Sequence, residues 1–387
     1  MKRTTGIIAE YNPFHHGHYH HLQTAVRETK SDYVIIAMSG NFVQRGEPAV
    51  FDKWIRAEMA LAAGADLVVE IPTWFVLQSA EGYARAGVAL LACCGATHLS
   101  FGSESGNIAD LAALAQWLEE AETQKSINQT MQSGVAYAAA IQQVADSTPS
   151  LARLAPLLRG ANNVLGLEYL RACRLFAPQI SVHTVKRGGD NASALRKLLA
   201  KGDATKARTF IPQCLQQIFD RALATAGPVF AQDFTQALFY SLATAEGKLI
   251  RALPACSEGL ENRISRALYK HRDLEGLLGA IKTKRYPRTR IQRLLMQALL
   301  QFSNHTYSGS FPPYLRILGC SVRGKKLLPQ LICLNKAPLV YSARDVRSLN
   351  LTAQNLLRLD YRAADIYNLV LSPARAQRDM HRQPLTF

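Results

Sequence analysis

The segment GIIAEYNPFHHGHYHHL, residues 6–22, concentrates the chain's most reactive side chains in one place. His15 and His18 flank Gly17 in an HxGH pattern. Glycine lets the backbone approach a ligand closely, and two imidazoles three residues apart can aim ring N–H groups at one anionic group. The segment lies where an apolar, β-branched run turns into a helical pattern. Free backbone N–H groups and the helix dipole meet phosphate at such a strand-to-helix turn. Two imidazole donors there would stabilise the charge that builds on an α-phosphate as pyrophosphate leaves. Two other readings compete. His16, His20 and His21 have helical metal-ligand spacing, but no acid or cysteine stands nearby to complete a site. Solvated surface histidines are the plain alternative, expected for His20 and His21.

Other polar groups cluster after later apolar runs. In SGNFVQRGEPAVFDKWIRAEMAL (39–61) a polar loop is expected to project Asn41, Gln44 and Arg45 over the site; Arg45 could hold a phosphate or a carboxylate, or be an ordinary loop arginine. Gly102 in SFGSE would let an adenine or ribose lie against the backbone, or simply make a strand-end turn. Asn162 and Asn163 precede a helical pattern, where one of them should be an N-cap worth about 1 kcal/mol. Arg187 offers a planar donor fork suited to phosphate. Between residues 282 and 293, KTKRYPRTRIQR, the side chains Lys282, Lys284, Arg285, Arg288, Arg290 and Arg293 surround Tyr286 with no acid among them. Basic groups with an aromatic suit a nucleic-acid backbone and a stacked base; a solvated helix end is the alternative.

The elements that must position these groups are legible from apolar periodicity. TTGIIAE, YVIIAMS, LVVEIP, THLSFGS and ISVHTV read as buried parallel strands. They alternate with helical segments such as DKWIRAEMALAAG, which opens with Asp and closes with Gly. The series predicts an α/β fold, a Rossmann-like doubly wound parallel sheet over residues 1–205 with its ligand at the carboxyl ends of the strands. Three-to-four-residue periodicity then predicts a helical domain over 206–309, and mixed signals a small C-terminal unit over 310–387, starting near Ser310. Of 387 residues 48% are apolar, enough for several cores. No run is long enough for a membrane helix or the core of a signal peptide, and seven cysteines without CxxC spacing argue against a disulfide framework or zinc ribbon. A cytoplasmic protein is expected. Residues 1–200 hold 17 Lys+Arg and 17 Asp+Glu, whereas residues 201–387 hold 28 and 12, so the whole net charge of +16 lies in the second half. That asymmetry points to a polyanion partner, with solubilising surface charge as the alternative.

HxGH after a first strand is similar to the signature of the HIGH-type nucleotidyltransferases, which attack the α-phosphate of a nucleotide. The whole opening segment resembles the bacterial tRNA(Met) cytidine acetate ligases. The likeness continues through SGNFVQRGEPAVFDKWIRAEMAL, SFGSE, GANNVLGLEYL, KRYPRTRIQR and DYRAADIYNL. It implies an enzyme that adenylates acetate with ATP and acetylates a cytidine in the anticodon of elongator tRNA(Met), with His15 and His18 as catalytic residues. It also implies ATP contacts along Ile7, Ile8, Ala9, Glu10, Tyr11, Asn12, Pro13, Phe14, His15, Gly17 and His18, and at Gly102, Asn162, Arg187, Ser193 and Arg196. The last two match the Ser-x-x-Arg end of the superfamily's second signature. Mg²⁺ is implied only as a counter-ion of ATP, tRNA and acetate as partners, and no protein partner. The stretch between Arg187 and Ser193 is shorter than in relatives and lacks their His. A small-molecule nucleotidyltransferase and a non-catalytic RNA-binding protein are the competing readings, and no residue identifies itself as the base of the transfer step.

Overall fold

The computed structural model describes residues 2–189, 191–245, 247–257, 259–302, 312–371 and 378–387. Five strands form the parallel part of the central sheet: β1 (Thr4–Ala9), β2 (Tyr33–Ser39), β3 (Leu67–Ile71), β4 (His98–Ser103) and β5 (Ser181–Lys186). Their order is β3-β2-β1-β4-β5, so the chain reverses direction across the sheet between β1 and β4. A ligand crevice opens at the carboxyl ends of strands beside such a reversal. Every residue of β1, β2 and β3 is buried, as expected for strands covered on both faces. Alternate side chains feed two cores. Ile7, Val34, Ile36 and Met38 pack toward helices α1 (His16–Thr29) and α2 (Lys53–Ala62). Ile8, Ile35, Ala37 and Val69 pack toward α3 (Ala80–Cys93), α4 (Ile108–Trp117) and α5 (Ala161–Phe176). The sequence signals for α2 hold at both ends. Asp52 accepts from the N–H groups of Trp54 and Ile55 at 2.7 and 3.0 Å, and Gly64 follows with φ +112°.

Helix α6 (Asn191–Ala200) follows β5. Beyond it a third core joins α7 (Arg288–Leu299), α8 (Leu351–Asn368) and several shorter helices, with Phe42 and Leu77 of the first half buried in it. Among the described residues no helix is long and apolar enough to cross a membrane.

The expected division at residue 310 does not follow the sheet. Ser310 lies outside the described residues, but β6 (Leu315–Cys320) pairs antiparallel with β3, and β7 (Leu339–Val340) and β8 (Leu385–Thr386) each pair parallel with β6. The end of the chain therefore completes the first sheet. Local periodicity identifies a strand but not the distant strand it joins.

A buried ion cluster fastens that return. Lys53 Nζ contacts Glu70 at 2.9 Å and Asp379 at 2.8 Å, and Arg316 contacts the same two carboxylates at 2.9 and 2.8 Å. Asp379 also accepts from the Trp54 indole N–H at 2.8 Å. The two guanidinium and ammonium charges hold the Asp379 carboxyl well below the usual range. Removing one member leaves opposite charges buried without compensation, so Asp379→Ala should lower the free energy of urea unfolding by about 3–5 kcal/mol.

Candidate active site

The carboxyl ends of β1 and β4, with α1, α5 and α6, wall a cavity of about 570 Å³, and a narrower cleft of about 40 Å³ lies between the head of α1 and the end of β5. His15 is the N-cap of α1: its Nδ1 accepts the Gly17 N–H at 2.9 Å. An accepting Nδ1 carries no proton, so the ring's hydrogen sits on Nε2 in the neutral form. His18, one turn on, stacks on His15 with ring centroids 3.8 Å apart and meets Tyr11 and Phe14 edge-on at 5.0 and 5.6 Å. Burial lowers the His18 pKa well below the ordinary value, and His15, Arg187, His21 and Arg196 add to the effect. Its Nδ1 is buried without a hydrogen-bond partner among the described residues. His18 is thus a neutral imidazole beside an anion-sized cleft.

His21 departs from the surface role expected of it. Its Nε2 lies 2.9 Å from Ser100 Oγ on β4, and burial, with Arg187 and His20, lowers its pKa to about 4. The i, i+3, i+6 spacing of His15, His18 and His21 puts all three on the face of α1 that turns to the sheet, a signal readable in the sequence. His20 is exposed, as expected.

Ile7, Ile8, Ala9, Glu10, Tyr11 and Asn12 line the main cavity. Pro13 and Phe14 do not; Phe14 is fully buried behind the histidines, where it supports them. Gly102 does allow a close approach, but the group it admits is Arg187: a Cβ there would stand 3.0 Å from the Arg187 Cγ. Arg187 and Arg196 both line the cavity, and Arg196 also donates to the Asn12 carbonyl at 2.8 Å. Ser193 is half-buried on α6 and is not on the cavity wall; Asp190, inside the shortened loop, lies outside the described residues.

Neither asparagine of the pair at 162–163 caps α5. The helix starts after Gly160, and the carboxylate of Glu104 takes the cap's place, accepting from the Asn162 and Asn163 N–H groups at 3.1 and 2.7 Å. Asn162 lines the cavity with its side-chain amide bonded to Glu104 at 2.6 Å, while Asn163 points back to hold the Glu104 and Ser105 N–H groups.

The loop after β2 is only partly as expected. Gln44 and Arg45 line the cavity, but Asn41 is buried and accepts the Lys53 N–H at 2.8 Å. Sequence reasoning missed Arg56, which is wholly buried below the site. Its guanidinium donates to the carbonyls of Phe51, Glu10 and Ser39 at 2.9, 2.6 and 3.1 Å and to that of Gly40, tying the ends of β1 and β2 together.

The basic segment divides in two. Lys282, Lys284 and Arg285 are exposed. Arg288 is paired with Glu275 at 2.6 Å, and Arg290 donates to the Ala255 carbonyl at 3.1 Å and to Ser257 at 2.5 Å. Tyr286 is only 5% exposed and packs under Arg290, so it offers no face to a base. Arg293, with Thr289, lines the nucleotide-sized cavity instead of an outer surface, and burial lowers its pKa to about 10. The apolar face of α7 explains this: Ile291, Leu294 and Leu295 must pack inward and carry Arg293 round to the cavity.

Over residues 1–383 the chain matches the HIGH Nucleotidyl Transferase family. The tRNA(Met) cytidine acetate ligase of Thermoanaerobacter sp. (strain X514) is 34% identical over 381 residues, with 94% of each chain covered. That of Syntrophomonas wolfei is 35% identical over 412 residues, with 98% of each covered. The chain belongs to this ligase family of HIGH nucleotidyltransferases. Thermotoga maritima TmcAL bound with alpha-thio ATP superposes with a TM-score of 0.92 at 30% identity, covering 100% of this chain and 99% of that one. The apo form of the same protein gives 0.94 at 29%. The α/β architecture inferred from periodicity is thus that of a HIGH-family ligase.

The lowered pKa values of His18 and His21 make the stability of this ligase-family member depend on pH. Unfolding lets His18 and His21 take up protons near the ordinary imidazole pKa of 6.5 that the folded chain refuses. Their contribution to stability is complete above about pH 6.5 and declines as pH falls toward 4. In urea titrations from pH 7.5 to 5, His21→Gln should therefore lose less stability than the parent chain, and the His21 ring resonance should titrate near 4.

Proposed function

We propose that this protein is an ATP-dependent ligase that adenylates acetate and passes the acetyl group to a cytidine in the anticodon of elongator tRNA(Met), acting in the cytoplasm. The observation that carries the reading is the stacked His15–His18 pair at the head of α1, with His18 and Arg187 lining both the narrow cleft beside His15 and the main cavity that holds Arg196, in a chain related end to end to tRNA(Met) cytidine acetate ligases.

In the first step a carboxylate oxygen of acetate attacks the α-phosphorus of ATP and pyrophosphate departs. Charge grows on the phosphate oxygens, and the Nε2–H of His15 and a ring N–H of His18 meet it at the positive end of α1. Arg187 and Arg196 neutralise the β- and γ-phosphates. Among the described residues no three His, Cys, Asp or Glu side chains gather to hold a metal ion, so a Mg²⁺ would be held by the triphosphate itself. When bound, it screens the phosphate charge. In the second step the exocyclic amine of cytidine displaces AMP from acetyl-adenylate. The exposed Lys282, Lys284 and Arg285 supply phosphate contacts for tRNA on the basic half, beside the helix that brings Arg293 to the cavity.

Acetate-dependent exchange of labelled pyrophosphate into ATP tests the first step. His18→Ala should lower the exchange rate about 100-fold or more, as for a lost transition-state donor; exchange that ignores acetate would refute the reading. For the second step, tRNA affinity should fall steeply with salt, and Lys284→Ala with Arg285→Ala should reduce the slope of log affinity against log salt by about two. A parent slope of zero removes RNA from the proposal.

A further inference from the structure

We propose that Glu10 is the proton acceptor of the acetyl-transfer step. The inference rests on the function proposed above and supplies the base that the sequence alone does not identify.

Among the described residues that wall the main cavity, Glu10 is the one carboxylate, set among Arg45, Arg187, Arg196 and Arg293. A carboxylate repels the phosphate oxygens that the arginines of the same wall attract, so Glu10 suits a task other than direct phosphate contact. One oxygen accepts the Gln44 N–H at 2.9 Å; the other has no hydrogen-bond partner among the described residues. Glu10 is not part of the narrow cleft that His15 and Gly17 line. It stands where the basic half closes the cavity: the Arg293 guanidinium reaches the Gln44 carbonyl at 3.4 Å, and Thr289 joins the same wall. An RNA held on the basic half would bring a base to this end.

The groups around Glu10 come from every neighbouring element. The loop after β2 contributes Arg45 and Glu47, and α6 contributes Arg196. From α2, Arg56 donates to the Glu10 carbonyl at 2.6 Å. Tyr83 of α3 and Tyr169 of α5 are phenols that burial keeps protonated. Burial raises the Glu10 pKa against the opposing pull of Arg45, the Gln44 N–H and Arg196, which makes this carboxylate a stronger base than an exposed one.

The cytidine amine nitrogen forms a bond to the acetyl carbon, and its proton passes to the Glu10 carboxylate. The bond between that carbon and the phosphate oxygen breaks, and AMP leaves with the oxygen and the electron pair. Glu10 returns the proton to water as the products depart. No oxidant, reductant or further reactant is required.

Full-length protein is mixed with synthetic acetyl-adenylate and a tRNA(Met) transcript, and a single turnover of acetyl transfer is followed from pH 5 to 9. Glu10→Gln keeps an oxygen to accept the Gln44 N–H, so a loop-holding role would survive the change. The parent rate should rise with pH and level off, while Glu10→Gln should be about 100-fold slower and lack the rising limb. Glu10→Asp should keep the limb at a reduced rate. Transfer by Glu10→Gln within about threefold of the parent, with the same pH profile, would overturn the proposal. So would a parent profile without a rising limb, whether or not the variants fold. A parent enzyme that transfers nothing from acetyl-adenylate at any pH would refute the proposed function as well.

Discussion

The hydrogen bond from the Gly17 N–H to His15 Nδ1 is the constraint on which the site depends. It starts α1 at the end of β1, and it also selects a tautomer. With Nδ1 occupied as an acceptor, Nε2 must carry the hydrogen, and the ring becomes a donor at the positive end of the helix. His18 then stacks one turn later at 3.8 Å, too close for both rings to be charged in a buried setting. The surroundings keep this arrangement rigid. The His16 N–H reaches the Phe210 carbonyl at 2.9 Å, Arg196 holds the Asn12 carbonyl, and Arg56 gathers carbonyls from the ends of β1 and β2. In the proposed adenylation, a donor pair fixed before substrate arrives would need little reorganisation as phosphate charge develops.

The second half of the chain is bound into this arrangement. Helix α7 lies against the loop after β2, where Gly46 has φ +82° and a Cβ would run into the backbone of Gln292 and Arg293. Gln292 bonds Glu47 at 2.9 Å, and Gln297 bonds the Leu77 carbonyl at 2.8 Å. Arg316 of β6 and Asp379 share the buried ion cluster with Lys53 and Glu70. The second half of the chain, which holds the whole net charge of +16, is therefore packed against the sheet that carries the histidine pair.

Much of the first half was legible because its signals are local. The β-branched runs, the Asp52 cap and the HxGH turn each depend on a few neighbouring residues. What was not legible depends on distant partners. The pair Asn162–Asn163 suggests that one of the two is a cap, but Glu104, far away in sequence, satisfies that helix end. Tyr286 looked like a stacking platform until the apolar side of the helical domain claimed it. Arg293 looked like a phosphate contact on the outer face, yet the packing of α7 turns it inward, and Arg56 gave no sign of its four carbonyls.

The central claim is that one cavity joins acetate to a cytidine at the expense of ATP. The direct test is nucleoside mass spectrometry of an elongator tRNA(Met) transcript after incubation with the purified protein, ATP and isotopically labelled acetate. The account predicts a labelled acetyl group on one cytidine, with AMP and pyrophosphate formed in equal amount. ATP cleaved to AMP and pyrophosphate while every cytidine stays unmodified would contradict it.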